Sequence, residues 1–142
     1  MGKLILIFIS ILILFGSCKK DDGPREKRFF DKIIIEDAKT TGWDVLSGPD
    51  MALTFKDNLI DSLANIKTSE TKEDVVILPI TFEDVTFELT DLIEFRVIDI
   101  NDFAPDQIMW QKQINAYARS EDGNPFLLSD SDWEIKVYWK TQ

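Results

Sequence analysis

Two segments of the chain concentrate side-chain oxygens in a way that suits a hard cation. The first reads TTGWDVLSGPD over residues 40–50, with carboxylates at Asp44 and Asp50, and the second reads DINDFAPD over residues 99–106. Carboxylates held close together repel one another, and a divalent cation relieves that repulsion. Calcium accepts about six to eight oxygen ligands in irregular geometry, whereas magnesium requires a tight octahedron. The composition of these two segments therefore favours calcium, rather than magnesium, as the bound cation.

Other chemistries find little support in the residue types. The chain has no histidine, which is the commonest general base and neutral metal ligand, and one cysteine leaves few soft ligands for zinc or copper. It has no GxSxG elbow, P-loop or GxGxxG turn. Residues 99–106 do not open an EF-hand, because Phe103 and Ala104 take its fifth and sixth positions and Trp110 its twelfth. No particular carboxylate pair marks a glycosidase, so we expect a non-catalytic protein.

The single cysteine, Cys18, follows a segment that is typical of secretion. Lys3 precedes an uncharged run over residues 4–15, and two small residues separate that run from Cys18. The run is shorter than the roughly 20 residues that a spanning helix needs, and the whole pattern is that of a signal peptide. The sequence FGSC over residues 15–18 resembles the lipobox of bacterial lipoproteins, with Phe15 where that family usually has leucine.

The lipobox resemblance implies that residues 1–17 are removed and that Cys18 becomes a lipid-bearing first residue, which anchors the protein to a membrane. An ordinary signal peptide and a short membrane anchor are the alternatives. Residues 18–28 read CKKDDGPREKR and are expected to form a flexible tether. Within them, residues 20–22 resemble the export signal of lipoproteins displayed on the surface of some Gram-negative bacteria. That resemblance implies a surface-exposed, lipid-anchored protein of the outer membrane.

The charge of the chain limits its partners. Residues 1–17 hold one charge, that of Lys3, so the remaining residues carry a net charge of −11. Nucleic acid and anionic headgroups are poor partners for such a surface unless cations intervene. A lipid on Cys18 would leave no thiol for a disulfide, so stability must come from an apolar core, which ten Phe and four Trp can supply.

Apolar and polar residues alternate along most of the chain after residue 28, which predicts β-strands. The alternation is clearest over residues 33–35, 51–56, 85–89, 93–97 and 133–140. Several such strands separated by turn-rich segments predict one all-β domain, an antiparallel sandwich over residues 29–142.

Two weaker patterns complete the strand assignment. Residues 108–117 predict a strand with Ile108, Trp110 and Ile114 facing inward. Residues 61–68 have the apolar spacing of a short helix or of a strand, and the strand is favoured because the rest of the chain is β.

Counting strands brings the two acidic segments together. If successive strands run antiparallel, the acidic segments follow the first and the fifth strands and lie at the same end of the sandwich. The same count places residues 121–124, Asp130 and Asp132 at the opposite end, where they are expected to form turns.

At its acidic loops the sequence resembles the C2 domain, a calcium-binding β-sandwich, over roughly residues 30–140. Residues 44–50 match the Asp-x5-Asp of the family's first loop, and residues 97–101 with Asp106 match its third loop. The resemblance implies calcium ligands at Asp44, Asp50, Asp99, Asn101 and Asp106. Asn101 stands where the family has a carboxylate, which lowers the ligand charge and should weaken calcium binding.

The acidic loops also allow a simpler interpretation, because Asp, Asn, Gly and Pro are the usual residues of solvated turns. Trp43 and Phe103 lie inside these loops and could contact a ligand, either by stacking on a sugar or by entering a membrane interface. Alternatively, each folds back to cover the end of the sandwich.

These observations predict a lipid-anchored, non-catalytic binding module of the cell envelope that depends on calcium through two acidic loops. The alternative is a metal-free accessory surface lipoprotein that binds another protein or a glycan. No motif identifies the ligand as a protein, a glycan or a lipid.

Overall fold

The computed structural model of this chain describes residues 23–39, 48–59, 66–102 and 104–142. The elements in these ranges are β1 (Arg28–Asp37), β2 (Met51–Asp57), β3 (Ile66–Thr68), β4 (Ile80–Phe82), β5 (Ile93–Asp99), β6 (Gln107–Ile114), α1 (Ala116–Glu121), β7 (Phe126–Ser129) and β8 (Glu134–Thr141). The domain start that the sequence places at residue 29 lies one residue after the start of β1.

Two four-stranded sheets form a sandwich, and every strand pair is antiparallel. One sheet has the order β4-β1-β8-β7 and the other the order β3-β2-β5-β6. In the first sheet Arg28 pairs with Thr141 at one end and Asp37 with Glu134 at the other. The prediction of an all-β antiparallel sandwich is confirmed.

The sandwich has two distinct ends. Strands β1, β3, β5 and β7 all run toward the end at which Asp37 lies beside Glu134 and Met51 beside Asp99, which we name the loop end. The opposite end, where β1 begins at Arg28, is named the tether end. The loops that follow the four odd-numbered strands therefore gather at the loop end.

An aromatic row passes through the core and connects the two sheets. The ring centroids of Phe30 and Phe55 are 4.9 Å apart, those of Phe55 and Phe95 4.9 Å, those of Phe95 and Trp110 5.5 Å, and those of Trp110 and Trp133 6.2 Å. All five side chains are buried. Because large aromatic side chains bury the most apolar area and gain from tilted or edge contacts, this row ties β1 to β2, β5, β6 and the start of β8.

The strand predicted over residues 108–117 is shorter and less regular than its pattern suggests. Trp110 and Ile114 face inward as predicted, but Ile108 is 47% exposed. The pairing of β6 with β5 shifts register between Trp110 and Ile108, and one inserted residue turns the side chains beyond it to the other face. The strand ends at Ile114, and α1 follows.

Helix α1 begins where a side chain can cap it. The Asn115 side chain accepts a hydrogen bond from the Ala118 N–H at 2.8 Å, which satisfies one of the unpaired donors of the first turn. No helix in the described ranges is long and apolar enough to cross a membrane.

The strand predicted over residues 85–89 is wrong, although its burial pattern is right. Val85 and Leu89 are buried, yet the segment makes only an isolated bridge between Glu88 and Phe29. The fourth strand is instead β4, which pairs with β1 at the edge of its sheet. Of the strand favoured over residues 61–68, the part Ile66–Thr68 is β3, and residues 61–65 lie outside the described ranges.

Candidate functional site at the loop end

The loops after β1 and β3 contact each other through their backbones. Met51 and Lys72 exchange two N–H···O=C hydrogen bonds of 2.8 Å, and the Val75 N–H donates to the Pro49 carbonyl at 2.9 Å. A Cβ on Gly48 would overlap the backbone of Val75, so glycine is the residue that permits this approach. The β3–β4 loop therefore packs directly on the last residues of the β1–β2 loop.

Two of the predicted ligand residues meet beside these loops. The Asp50 N–H donates to Asp99 Oδ1 at 3.0 Å, and the Ile100 N–H donates to the Asp50 carbonyl at 2.8 Å. Asp99, the last residue of β5, is fully buried, and Asp50 is half-buried. The two acidic segments therefore meet at one end, as the strand count predicts.

The contact between Asp50 and Asp99 extends in both directions. The Asp74 N–H donates to Asp50 Oδ1 at 2.8 Å. On the other side, Asn101 Nδ2 donates to the Asp99 carbonyl at 3.2 Å, and the Asn101 N–H donates to Asp106 Oδ1 at 3.3 Å. We name these five residues the acidic network; it links the loops after β1, β3 and β5.

Asp74 is a member of this network that the sequence patterns do not single out. It lies in the β3–β4 loop, is exposed and has a φ of 49°, a left-handed conformation that Asp tolerates better than most residues. The strand count could have found it, since a loop after the third strand lies at the same end as loops after the first and fifth. The sequence patterns do not single it out because the residues after it, 75–82, are mostly apolar. They suggest a strand interrupted at Pro79 rather than part of an acidic loop.

The structure brings together four of the five predicted calcium ligands, namely Asp50, Asp99, Asn101 and Asp106. Asp44, Trp43 and Phe103 lie outside the described residues. Within the described part of the chain, no group of three or more His, Cys, Asp or Glu side chains is arranged to hold a metal ion.

The described residues of the acidic network offer the type of ligand atom that calcium prefers, but they do not form a complete coordination site. Asp50, Asp99 and Asp106 each accept a backbone N–H bond at one oxygen, as turn-forming carboxylates do. An ionised carboxylate has about four acceptor positions on two oxygens, so such a bond does not exhaust it. All the side-chain acceptors are oxygens, which hard cations prefer.

The structure places Asp130 and Asp132 at the loop end, whereas the strand count places them at the opposite end. The loop follows β7, whose last residue lies beside the start of β8. The prediction is wrong because β7 is only four residues long, and omitting one strand reverses the count for everything after it. Trp110 Nε1 donates to Asp130 Oδ2, so this carboxylate satisfies a buried indole.

An apolar tip stands in the same β3–β4 loop as Asp74. Val76 is 67% exposed and Ile77 is 77% exposed. Single exposed apolar side chains are common on soluble proteins, but two in succession beside a carboxylate network make a mixed apolar and acidic surface. Pro79 means that any strand over residues 75–82 (VVILPITF) is interrupted or lies at a sheet edge, so the sequence pattern does not predict an exposed loop tip here.

A separate cleft lies along the side of the sandwich. It has a volume of about 350 Å³ and is lined by Lys67, Glu70, Glu83 and Asp84 among others. Lys67 Nζ donates to the Thr86 carbonyl at 2.8 Å. None of the residues that line the cleft belongs to the acidic network.

Comparison with known proteins gives information about the fold alone. A solved structure described as BON1-C2B superposes on this chain with a TM-score of 0.52 and 9% sequence identity, covering 89% of this chain and 99% of that one. The chain therefore has a C2-like β-sandwich fold. No family model matches the chain, and no curated protein matches it.

Proposed function

We propose that this C2-like sandwich is a non-catalytic binding module of the cell envelope, held at the outer membrane by a lipid on Cys18. Its loop end binds an anionic ligand through calcium. The observation that carries the proposal is the acidic network, in which residues from three separate loops form one continuous chain of hydrogen bonds.

The network concentrates negative charge on loops whose backbones are already held in place by hydrogen bonds. Bound calcium would neutralise that charge and offer remaining coordination positions to an anionic group. The residues that would hold it are the predicted ligands, with Asp74 as a further candidate from the β3–β4 loop. The turn hydrogen bonds to Asp50, Asp99 and Asp106 fix these carboxylates before a cation arrives, which lowers the entropic cost of binding.

The apolar tip supports a ligand that is a surface rather than a small ion. Val76 and Ile77 project beside the network, where they would lose contact with water when the loop end docks. Burying one such side chain is worth about 1.5–3 kcal/mol. An anionic group next to an apolar patch is therefore the chemistry that the loop end matches.

A metal-free protein-binding module is the second candidate, and one observation favours it. The described network carboxylates already accept backbone hydrogen bonds, and no three acidic side chains of the described residues form a metal-holding group. In that case the network is a set of turn caps and the apolar tip alone provides the docking surface.

Thermal unfolding of the chain from Lys19 onward, with and without calcium, distinguishes the two candidates. Calcium that binds only the folded state adds about 2.7 kcal/mol at a hundredfold excess over Kd, and each 1 kcal/mol raises Tm by about 2–8 °C. Magnesium should raise Tm much less, because it dehydrates reluctantly. A Tm that millimolar calcium does not change after chelator treatment would leave the metal-free module as the function.

A further inference from the structure

Two arginines near the start of the described chain contact the tether end. Arg25 Nη1 contacts Asp91 Oδ1 at 2.9 Å and Oδ2 at 3.0 Å. The Arg28 guanidinium carbon lies 4.8 Å from the ring centroid of Tyr117 and 4.6 Å from that of Trp139. The largely buried Arg28 is therefore the firm junction between chain and domain, beside α1 and the end of β8, and the exposed Arg25–Asp91 pair is a weaker contact before it.

Little chain remains between this junction and Cys18. Ten residue steps separate Cys18 from Arg28, so their Cα atoms lie at most about 35 Å apart. A flexible segment of that length has an average span of about 17 Å. The ten residues of β1 alone span about 30 Å from the tether end to the loop end.

We infer that the loop end faces away from the membrane that carries the lipid of Cys18, and that it meets its anionic ligand in trans, from the solvent side. This inference rests on the lipid anchor of the proposed function. An upright domain with its loops on that membrane would need residues 18–28 stretched to about twice their average span. Laying the sandwich on its side would bring a sheet face, not the loop tips, against the headgroups.

Charge favours the same orientation. Among the described residues, the exposed or half-buried aspartates of the loop end outnumber its lysines, Lys39 and Lys72; these aspartates are Asp37, Asp50, Asp74, Asp102, Asp106, Asp130 and Asp132. Anionic headgroups repel such a surface over about one Debye length, roughly 8–10 Å. Calcium would weaken this repulsion but would not lengthen the tether, so the orientation should hold with and without calcium.

Fluorescence resonance energy transfer from a donor dye on the protein to acceptor lipids in the bilayer tests the orientation. The full chain is expressed in a diderm bacterium, extracted in detergent and reconstituted into vesicles of phosphatidylcholine and phosphatidylglycerol with a headgroup-labelled acceptor lipid. An acylated Cys18 leaves any introduced cysteine as the one reactive thiol. Ser131→Cys places the donor at the loop end, and Glu121→Cys places it at the tether end; both positions are exposed. Thr71→Cys and Asp122→Cys form a second pair in case one variant folds poorly.

Transfer from residue 121 should be several-fold more efficient than transfer from residue 131, with or without calcium. Equal transfer from both ends, or a calcium-dependent rise at residue 131 that persists when the vesicles are diluted until they no longer meet, would overturn the orientation. A rise at residue 131 that disappears on dilution is docking in trans on a neighbouring vesicle and supports it. If neither donor transfers energy, the anchor is absent and the inference fails with it. The calcium-free comparison does not depend on calcium binding, so the melting experiment with calcium shows separately whether the binding function fails.

Discussion

At the scale of single residues, each carboxylate of the network has two properties that can be separated. Its negative charge can attract a cation, and its oxygens accept hydrogen bonds from the turn backbone. Asp50 Oδ1 accepts the Asp74 N–H, and Asp99 Oδ1 accepts the Asp50 N–H. Asparagine keeps one side-chain oxygen that can accept such a bond but lacks the negative charge. An Asp→Asn change therefore separates the turn-capping role from cation binding.

Asp50→Asn and Asp99→Asn should each abolish the rise in Tm that calcium produces. Without metal, Asp50→Asn should be as stable as the parent or slightly more stable, because it relieves repulsion while keeping the cap. Calorimetric titration with calcium measures the effect. Asp122→Asn, at the exposed end of α1, is the matched control and should bind calcium like the parent. Equal binding in all four proteins would contradict the calcium site.

The two arginines near the tether end should differ in their contributions to stability. Arg28 has a side chain only 16% exposed, stacks on two aromatic rings and donates to Ser120 Oγ at 2.6 Å. A desolvated cation–π contact is worth about 2 kcal/mol and a charged hydrogen bond about 1.5–3 kcal/mol. Arg28→Ala should therefore cost about 2–4 kcal/mol in urea unfolding.

Arg25→Ala is the comparison, because the Arg25–Asp91 pair is exposed on both sides and such pairs contribute about 0–1 kcal/mol. Arg28→Lys should also destabilise, since an ammonium lacks the planar face that stacks on the rings. If Arg28→Ala and Arg25→Ala unfold at the same urea concentration, the stacking contributes nothing measurable.

At the scale of elements, the site depends on how closely two loops approach. The segment 48–50 lies against residues 72–75 through backbone hydrogen bonds, and that approach positions Asp50 beside Asp74. The approach requires a residue without a side chain at position 48. A change in the loop backbone should therefore alter both stability and the acidic network.

Gly48→Ala should destabilise the domain by about 1–3 kcal/mol, the usual cost of forcing an extra carbon into a packed site. It should also weaken any calcium response, because the overlap with Val75 must move Asp50 away from Asp74. Thermal unfolding with and without calcium measures both effects. Gly23→Ala is the matched control, since a Cβ there meets nothing within 4 Å, and its Tm should equal that of the parent.

At the scale of the whole molecule, the two ends of the sandwich have different tasks. The tether end binds the incoming chain through arginine contacts, and the loop end gathers carboxylates and an apolar tip. Separating the two along the strands would keep the proposed binding loops clear of the proposed anchor. An antiparallel sandwich provides this separation, because successive strands reverse direction and its loops alternate between the ends.

The anchor itself is tested by the mass of the protein made in a diderm bacterium. The mature chain should begin at Cys18 and carry acyl chains, and it should partition into detergent. Cys18→Ala should yield unacylated protein that is either soluble or uncleaved. An intact mass that matches the full 142-residue chain with a free thiol would exclude the lipid anchor.

Sequence patterns alone predict the fold class and much of the core. Strict alternation over β2, β5 and β8 predicts which residues are buried, because a strand places successive side chains on opposite faces. The strand count also predicts that the two acidic segments meet, and it succeeds because β4 takes the place of the strand wrongly predicted over residues 85–89. These predictions succeed because they depend on the local period and on the direction of each strand.

The finer arrangement of the site depends on long-range packing that no sequence pattern predicts. The outward turn of Ile108 depends on a register shift against β5, and the position of Asp130 depends on β7, a strand too short for its pattern to be read. Asp74 joins the acidic network because the β3–β4 loop packs on Gly48 and Pro49. Each of these features depends on contacts between residues far apart in the chain, which a local sequence pattern does not contain.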